Sequence, residues 1–290
     1  MFYSPLRYPG GKGKLASFME MMVKKTGHEG GTYIEPFAGG AGIALELLEK
    51  GVVSEIVIND YDKGIYSFWR AILTETDRFI KAIEQCPVTL EEWDRQRQIC
   101  LNEDSRYSFE LGFATFYMNR TNRSGIIKGG VIGGREQIGK WKIDARFNKE
   151  NLIERIKNIA KHKNAIHLYN KDIESFIQNY LPKYEQNALV YFDPPYFNKG
   201  KQLYLNYFDY DDHKRIEKMI SEEVNCDWII TYDDVPEIAN LYSEHSMKRY
   251  DLNYSVASKR KASEIIVFSD TDLIPTSVEL NQCRSGINLR

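Results

Sequence analysis

Cysteine is scarce in this chain, and none of it is spaced for chemistry. Cys86, Cys100, Cys226 and Cys283 form no Cys-x-x-Cys pair and have no histidine at ligand spacing. That argues against a metal site and for buried free thiols in a reducing compartment. No apolar run approaches the roughly 18 residues of a membrane span, and Met1–Arg7 lacks the cationic and apolar regions of a secretory signal. A cytoplasmic chain with no membrane or metal partner is therefore expected. Net charge of one sign is also missing: 39 basic and 41 acidic residues leave −2. This excludes a protein that coats nucleic acid indiscriminately, but not one with a local basic face. Neither a Gly-x-Gly-x-x-Gly dinucleotide fingerprint nor a Gly-x-x-x-x-Gly-Lys-Ser/Thr phosphate loop is present. There is no internal repeat and no low-complexity stretch.

What is present reads as a globular α/β protein. Apolar residues make up 42% and charged residues 28% of the 290, the usual balance for a packed chain of one large domain or two modest ones. Leu15, Phe18, Met19, Met22 and Val23 recur at helical spacing. Thr32–Pro36 reads as a short buried strand running into the Gly-rich turn Phe37-Ala38-Gly39-Gly40-Ala41-Gly42. A helix from Ile43 to Lys50 and a second strand, Glu55–Asp60, ending in an acid, complete the unit. Strand, Gly turn, helix and strand with a terminal acid make up a nucleotide-binding half of a doubly wound sheet.

Residues 66–116 are mainly helical in pattern, and Asn119–Trp141 is Gly-rich and basic, suited to loops and a hairpin. From Asn151 the α/β rhythm returns, with strands expected at Ala165–Tyr169, Ala188–Phe192, Trp228–Thr231 and Glu264–Phe268. The reading is a discontinuous catalytic domain over 1–65 and 150–272, interrupted by an insertion over 66–149 and followed by a tail over 273–290 with little periodicity. Between Asn119 and Asn148 the cations Arg120, Arg123, Lys128, Arg135, Lys140, Lys142 and Arg146 are opposed only by Glu136 and Asp144. A second cationic cluster is Lys248-Arg249 with Lys259-Arg260-Lys261. Either patch is equally compatible with a solvated surface.

Three segments carry chemistry. The first is Asp193-Pro194-Pro195-Tyr196, directly after an apolar strand, where open parallel sheets bind ligands. Read alone it is also an Asp cap on a Pro-rich turn. An exocyclic amino nitrogen of a nucleobase is a poor nucleophile because its lone pair is delocalised. Asp193 and the Pro194 carbonyl could accept its two N–H bonds and free that lone pair for in-line attack on a sulfonium methyl. The prolines stiffen the loop, and Tyr196 offers a face for an extruded base. The second segment is Glu35–Gly42, whose small residues let backbone approach a nucleoside cofactor, with Asp60 placed to grip ribose hydroxyls. The third is Arg7-Tyr8-Pro9-Gly10-Gly11-Lys12, a Gly turn before a helix where Lys12 could hold a carboxylate.

In this order, over roughly residues 5 to 270, the three segments resemble the DNA adenine methylase family, the alpha group of amino-methyltransferases. The resemblance implies a Rossmann-like S-adenosylmethionine-dependent methyltransferase sheet with an inserted helical and hairpin target-recognition domain. It further implies double-stranded DNA as partner and N6 of a flipped-out adenine as target. Asp193, Pro194 and Tyr196 match the catalytic positions. Tyr8, Lys12, Glu35, Phe37, Gly39, Asp60 and Asp172 match cofactor positions, although Ile173 follows Asp172 where the family usually has an aromatic residue. Asn119, Arg120, Arg123, Ser124 and Gly125 resemble the segment that begins the DNA-entering hairpin, and Arg120 and Arg123 are expected in or beside the major groove. Tyr204, Tyr207, Phe208 and His213 resemble the segment that closes over the flipped base, although the same run suits core packing.

Cytosine N4 and an RNA adenine stay open as targets. So does a non-enzymatic regulator on a degenerate methyltransferase fold, while carbon-5 methylation is set aside because no Pro-Cys nucleophile is present. A bacterial or phage-type origin and a cognate restriction or defence system accord with the family.

Overall fold

Strands form where the apolar runs are longest, and the first of them lies in the interior of the sheet. The computed structural model describes residues 3–7, 13–197, 208–253, 261–283 and 285–290. It divides into two units, Gly10–Asn59 with Lys171–Arg290, and Asp60–Asn170 with the residues before Gly10. Helix α1 (Gly13–Lys25) buries Leu15, Phe18, Met19, Met22 and Val23, each worth about 1.5–3 kcal/mol when removed from water. Strand β1 (Thr32–Glu35), helix α2 (Gly42–Glu49) and strand β2 (Glu55–Asn59) follow. The turn between β1 and α2 is left-handed at Gly39 (φ 47°) and again at Ala41 (φ 45°). Glycine takes that backbone freely, while alanine does so at a cost of about 1 kcal/mol.

The unit built on Asp60–Asn170 is helical. It contains α3 (Lys63–Thr74), α4 (Thr76–Gln85), α5 (Leu90–Asn102), α6 (Phe109–Thr121), α7 (Lys149–Lys161) and strand β3 (Ile166–Tyr169). Side-chain oxygens of Asp62, Thr89, Ser108 and Asn148 cap α3, α5, α6 and α7, each satisfying an amide that the helix start leaves bare. Helices α3 and α6 touch through glycine. A β-carbon on Gly64 would sit 2.4 Å from Thr115 Oγ1, and one on Gly112 would sit 2.5 Å from the Ser67 carbonyl oxygen. Around that contact Phe68, Phe79, Phe113, Phe116 and Phe147 pack edge-on or stacked. α7 packs on α3 and α4, and its apolar face belongs to this core.

The chain then runs through α8 (Ile173–Asn179), β4 (Ala188–Phe192), α9 (Tyr210–Glu223), β5 (Asp227–Asp233), α10 (Pro236–Leu241), β6 (Ser246–Asn253), β7 (Lys261–Phe268) and α11 (Ser277–Gln282). Within the unit of Gly10–Asn59 and Lys171–Arg290 the strand order is β2-β1-β4-β5-β7-β6. β1 pairs in parallel with both β2 and β4, and β4 with β5, whereas β7 runs antiparallel to β5 and β6. The order therefore reverses between β1 and β4, and a ligand crevice belongs at their carboxyl ends.

The tail is more regular than its sequence suggests. α11 has a full capping box between Thr276 and Glu279, and the Arg290 backbone exchanges hydrogen bonds of 2.8 and 2.9 Å with Arg249 on β6.

Candidate active site

Every residue of β4 is buried, and the strand delivers Asp193 directly at its carboxyl end. Three polar residues of the neighbouring strands hold the loop that follows. The Thr231 hydroxyl donates to Asp193 Oδ1 over a long 3.3 Å. With that proton committed, the buried Tyr191 hydroxyl 2.8 Å away donates to Thr231. Burial, then the charge of Asp193, pushes the Tyr191 phenol far above its ordinary range, so it remains a donor. Asp233 Oδ1 accepts the Phe197 amide at 3.0 Å. Between these anchors the Tyr196 hydroxyl donates to Glu264 Oε1 at 2.8 Å. Thr231, Asp233 and Glu264 escaped the sequence reading, although a hydroxyl and two carboxylates on otherwise apolar strands were its visible trace.

The neighbouring strand end supplies the second part. Glu35 is 5% exposed, and its Oε1 accepts the Ala44 amide at 3.1 Å. This ties β1 to the first turn of α2, whose N-cap Ala41 supplies no side-chain bond. Asn59 closes the far side: its amide donates to the Pro36 and Lys171 carbonyls, and its oxygen accepts from Lys171 N. Asp172 is exposed and caps α8 through the Ser175 amide at 2.8 Å.

An aromatic row runs on from Phe37. Phe37 meets Phe208 edge-on at 6.0 Å, Phe208 meets His213 at 5.6 Å, and His213 lies 5.6 Å from Phe197. His213 is fully buried, with Nδ1 3.0 Å from the Tyr232 hydroxyl. Burial lowers its pKa, so the ring is neutral at physiological pH. Phe208 and His213 thus lie beside the Asp193 loop, while Tyr204 and Tyr207, like Tyr8 and Lys12, fall outside the described residues.

Left-handed turns with small residues at the end of β1, carboxylates on adjoining strand ends and an aromatic wall suit a nucleoside cofactor. Among the described residues no cluster of three or more His, Cys, Asp or Glu side chains could hold a metal ion. No described helix is long and apolar enough to cross a membrane.

The expected recognition segment lies in the helical unit, as does Asp60. Asp60 accepts the Asp62 amide at 2.9 Å, and its own amide donates to the Tyr169 carbonyl at 3.3 Å. Asn119 is 2% exposed and embraces the backbone of Arg7, accepting its amide at 2.6 Å and donating to its carbonyl at 2.8 Å. Arg120 is 9% exposed and donates to the Arg146 and Pro5 carbonyls. Burial, then Arg7, Arg155 and Arg146, pull its pKa down. Gly125 has φ 78°, and a β-carbon there would lie 2.5 Å from the Arg7 carbonyl oxygen. These three residues clamp the short strap of residues 4–7. Arg123 and Ser124 are exposed, and Ser124 is left-handed at φ 56°. The expected hairpin is a loop closed by one antiparallel bridge, Asn122 to Val131. It presents Ile138 at 86% and Trp141 at 59% exposure, with Lys140 and Arg146 within 5.8 Å of the Trp141 ring.

A parallel sheet with its switch point at β1 and β4, a reversed β7, a left-handed Gly turn and an Asp-Pro-Pro-Tyr loop make up a doubly wound fold, and the family model marks it as that of an S-adenosylmethionine-dependent methyltransferase. The chain belongs to the D12 class N6 adenine-specific DNA methyltransferases, whose family model matches residues 8–256. It is 26% identical over 239 residues to the Type II methyltransferase M.MjaIII of Methanocaldococcus jannaschii, covering 73% of this chain and 77% of that one. Among solved structures it is similar to the rRNA methyltransferase aviRa of Streptomyces viridochromogenes (TM-score 0.40, 12% identity, 89% and 85% covered). It is also similar to a SAM-dependent methyltransferase of Agrobacterium tumefaciens (TM-score 0.39, 11% identity, 87% and 61% covered). The reaction is methylation of adenine N6 in DNA, with S-adenosylmethionine as methyl donor.

Proposed function

We propose that Asp193, Pro194 and Tyr196 carry this reaction on an adenine flipped out of double-stranded DNA. The observation behind the assignment is the position of the Asp193 loop at the carboxyl end of β4, beside β1 at the switch point. S-adenosylmethionine supplies a methyl group on a positively charged sulfur. Asp193 and the Pro194 carbonyl would accept hydrogen bonds from the two N–H groups of adenine's amino nitrogen and so free its lone pair for that methyl. The electron pair of the broken bond would stay on the sulfur, and the nitrogen's surplus proton would leave to Asp193 or water. The Asp193 orientation comes from Thr231 and Tyr191, so the acceptor is set before substrate arrives. Tyr196 stacks on the base, and the aromatic row through Phe197, His213 and Phe208 excludes water beside it.

Glu35, Phe37 and Gly39 form the cofactor turn. Asp60 serves the ribose, Asp172 the adenine of the cofactor, and Tyr8 and Lys12 the methionine end. Arg123 and Ser124 meet DNA directly, while Asn119, Arg120 and Gly125 shape the loop that presents them. Likeness to a Type II methyltransferase supports a site-specific modifying role beside a cognate restriction enzyme, in a cytoplasmic setting.

Methylation sequencing of DNA from cells expressing the protein identifies base, atom and recognition sequence together. Asp193→Ala is expected to lower methyl transfer at least about a hundredfold while cofactor affinity stays within about threefold of the parent. Retained transfer in that variant removes the catalytic assignment, and marks that appear only on cytosine remove adenine as the target.

A further inference from the structure

Glu264 is an unusual residue to find where it is. It stands near the middle of β7, opposite Asp233 on one side and Tyr250 on the other, and is 1% exposed. Each of its oxygens accepts a phenol hydroxyl: Oε1 from Tyr196 at 2.8 Å and Oε2 from Tyr250 at 2.6 Å. Burying a carboxyl group is costly unless its oxygens are satisfied, and these two short bonds provide that compensation. Burial and the adjoining Glu264 hold the Tyr250 phenol far above its ordinary range, so it stays a donor.

A purely packed core would place an aliphatic residue here, as at the flanking Ile265 and Ile266. What the carboxyl group adds is direction. Tyr196 follows two prolines and can still rotate about its side-chain bonds, so its ring plane is not fixed by the backbone. A hydrogen bond from the far end of the ring to a group locked on two strands removes that freedom.

We infer that Glu264, braced by Tyr250, is a positioning residue that fixes the ring plane of Tyr196 against which the target adenine stacks. This rests on the stacking role proposed for Tyr196. The bond acts on how the flipped base is held, so its loss lowers turnover more than cofactor binding.

The test uses the full chain with a duplex bearing the site found by sequencing, and a second duplex with 2-aminopurine as the target base. Tyr196→Phe keeps the ring and deletes the bond, and Glu264→Met removes both acceptors at similar length. Each is expected to lower kcat about tenfold, leave cofactor Kd within twofold, and change the 2-aminopurine fluorescence of the bound duplex. The double variant should be no slower than the slower single one, since both remove the same bond. Unchanged kcat in folded Tyr196→Phe, or single losses that multiply in the double, overturns the inference. If Glu264→Met does not fold, Tyr196→Phe decides alone. Tyr196→Ala separates the two levels. Full turnover there removes the stacking role itself. Loss of turnover there beside unaffected Tyr196→Phe keeps stacking and removes Glu264.

Discussion

His28 shows how a single residue can act through two hydrogen bonds and leave a signature in solution. Its Nε2 lies 3.0 Å from Asp227 Oδ2 and its Nδ1 2.9 Å from Asn187 Oδ1. The hydrogen bond to Asp227 raises its pKa above the ordinary value of 6.5, against the opposing effect of burial. The folded state therefore binds the proton more tightly than the unfolded one. The resulting stability is fully present below 6.5 and is lost as pH rises through the folded value. Urea midpoints measured between pH 6 and 8 should fall by the equivalent of about 0.5–1 kcal/mol, and His28→Gln should flatten that part of the profile. A parent profile already flat over this range would contradict the pairing. At this scale the sequence shows where a motif sets the backbone, as at the strand end before Asp193 and the left-handed turn at Gly39. It was silent on Thr231, Asp233 and Glu264, whose roles arise from strand register.

Elements were legible in proportion to how fully they are buried. β4 and the centre of β5 stood out as continuous apolar runs. β6 did not, because at the edge of the sheet its Lys248-Arg249 pair reads as a charge cluster. α9 was missed although Asp209 and Asp212 form a capping box before His213, Ile216, Met219 and Ile220. Within the segment expected to meet DNA, the structure separates a buried arginine from exposed ones. Spacing cannot tell an arginine that binds backbone carbonyls, such as Arg120, from one that faces solvent, such as Arg123. The loop that carries Arg123 and Trp141 should separate charge from stacking. Arg123→Gln is expected to reduce the slope of log affinity against log salt by about 1. Trp141→Ala should weaken DNA binding about tenfold with that slope retained. Binding titrations at several salt concentrations measure both, and two parent-like variants would show that DNA lies elsewhere.

For the whole molecule, sheet order was legible only as a class. The alternation of strands and helices announced a doubly wound sheet, whereas the reversal of β7 depends on pairings with no local sequence signal. The pairing of Ile34 with Val190 has a further consequence, for the order of folding. The entire Asp60–Asn170 unit separates these partners along the chain, so their ladder closes a very long loop. The helical unit relies on near neighbours such as α3, α4, α5 and α6. Contacts between distant segments form slowly, because loop-closure entropy opposes them before they are rewarded. The Phe116 region should gain amide protection before Val190 in pulse-labelled refolding, and simultaneous protection would refute that order. On a ribosome, the crevice between β1 and β4 cannot exist until β4 has emerged. A chain stalled before Ala188 would therefore hold a helical unit without that crevice, and, on the role proposed for Asp193, nascent enzyme would be unable to methylate until its synthesis has passed that loop.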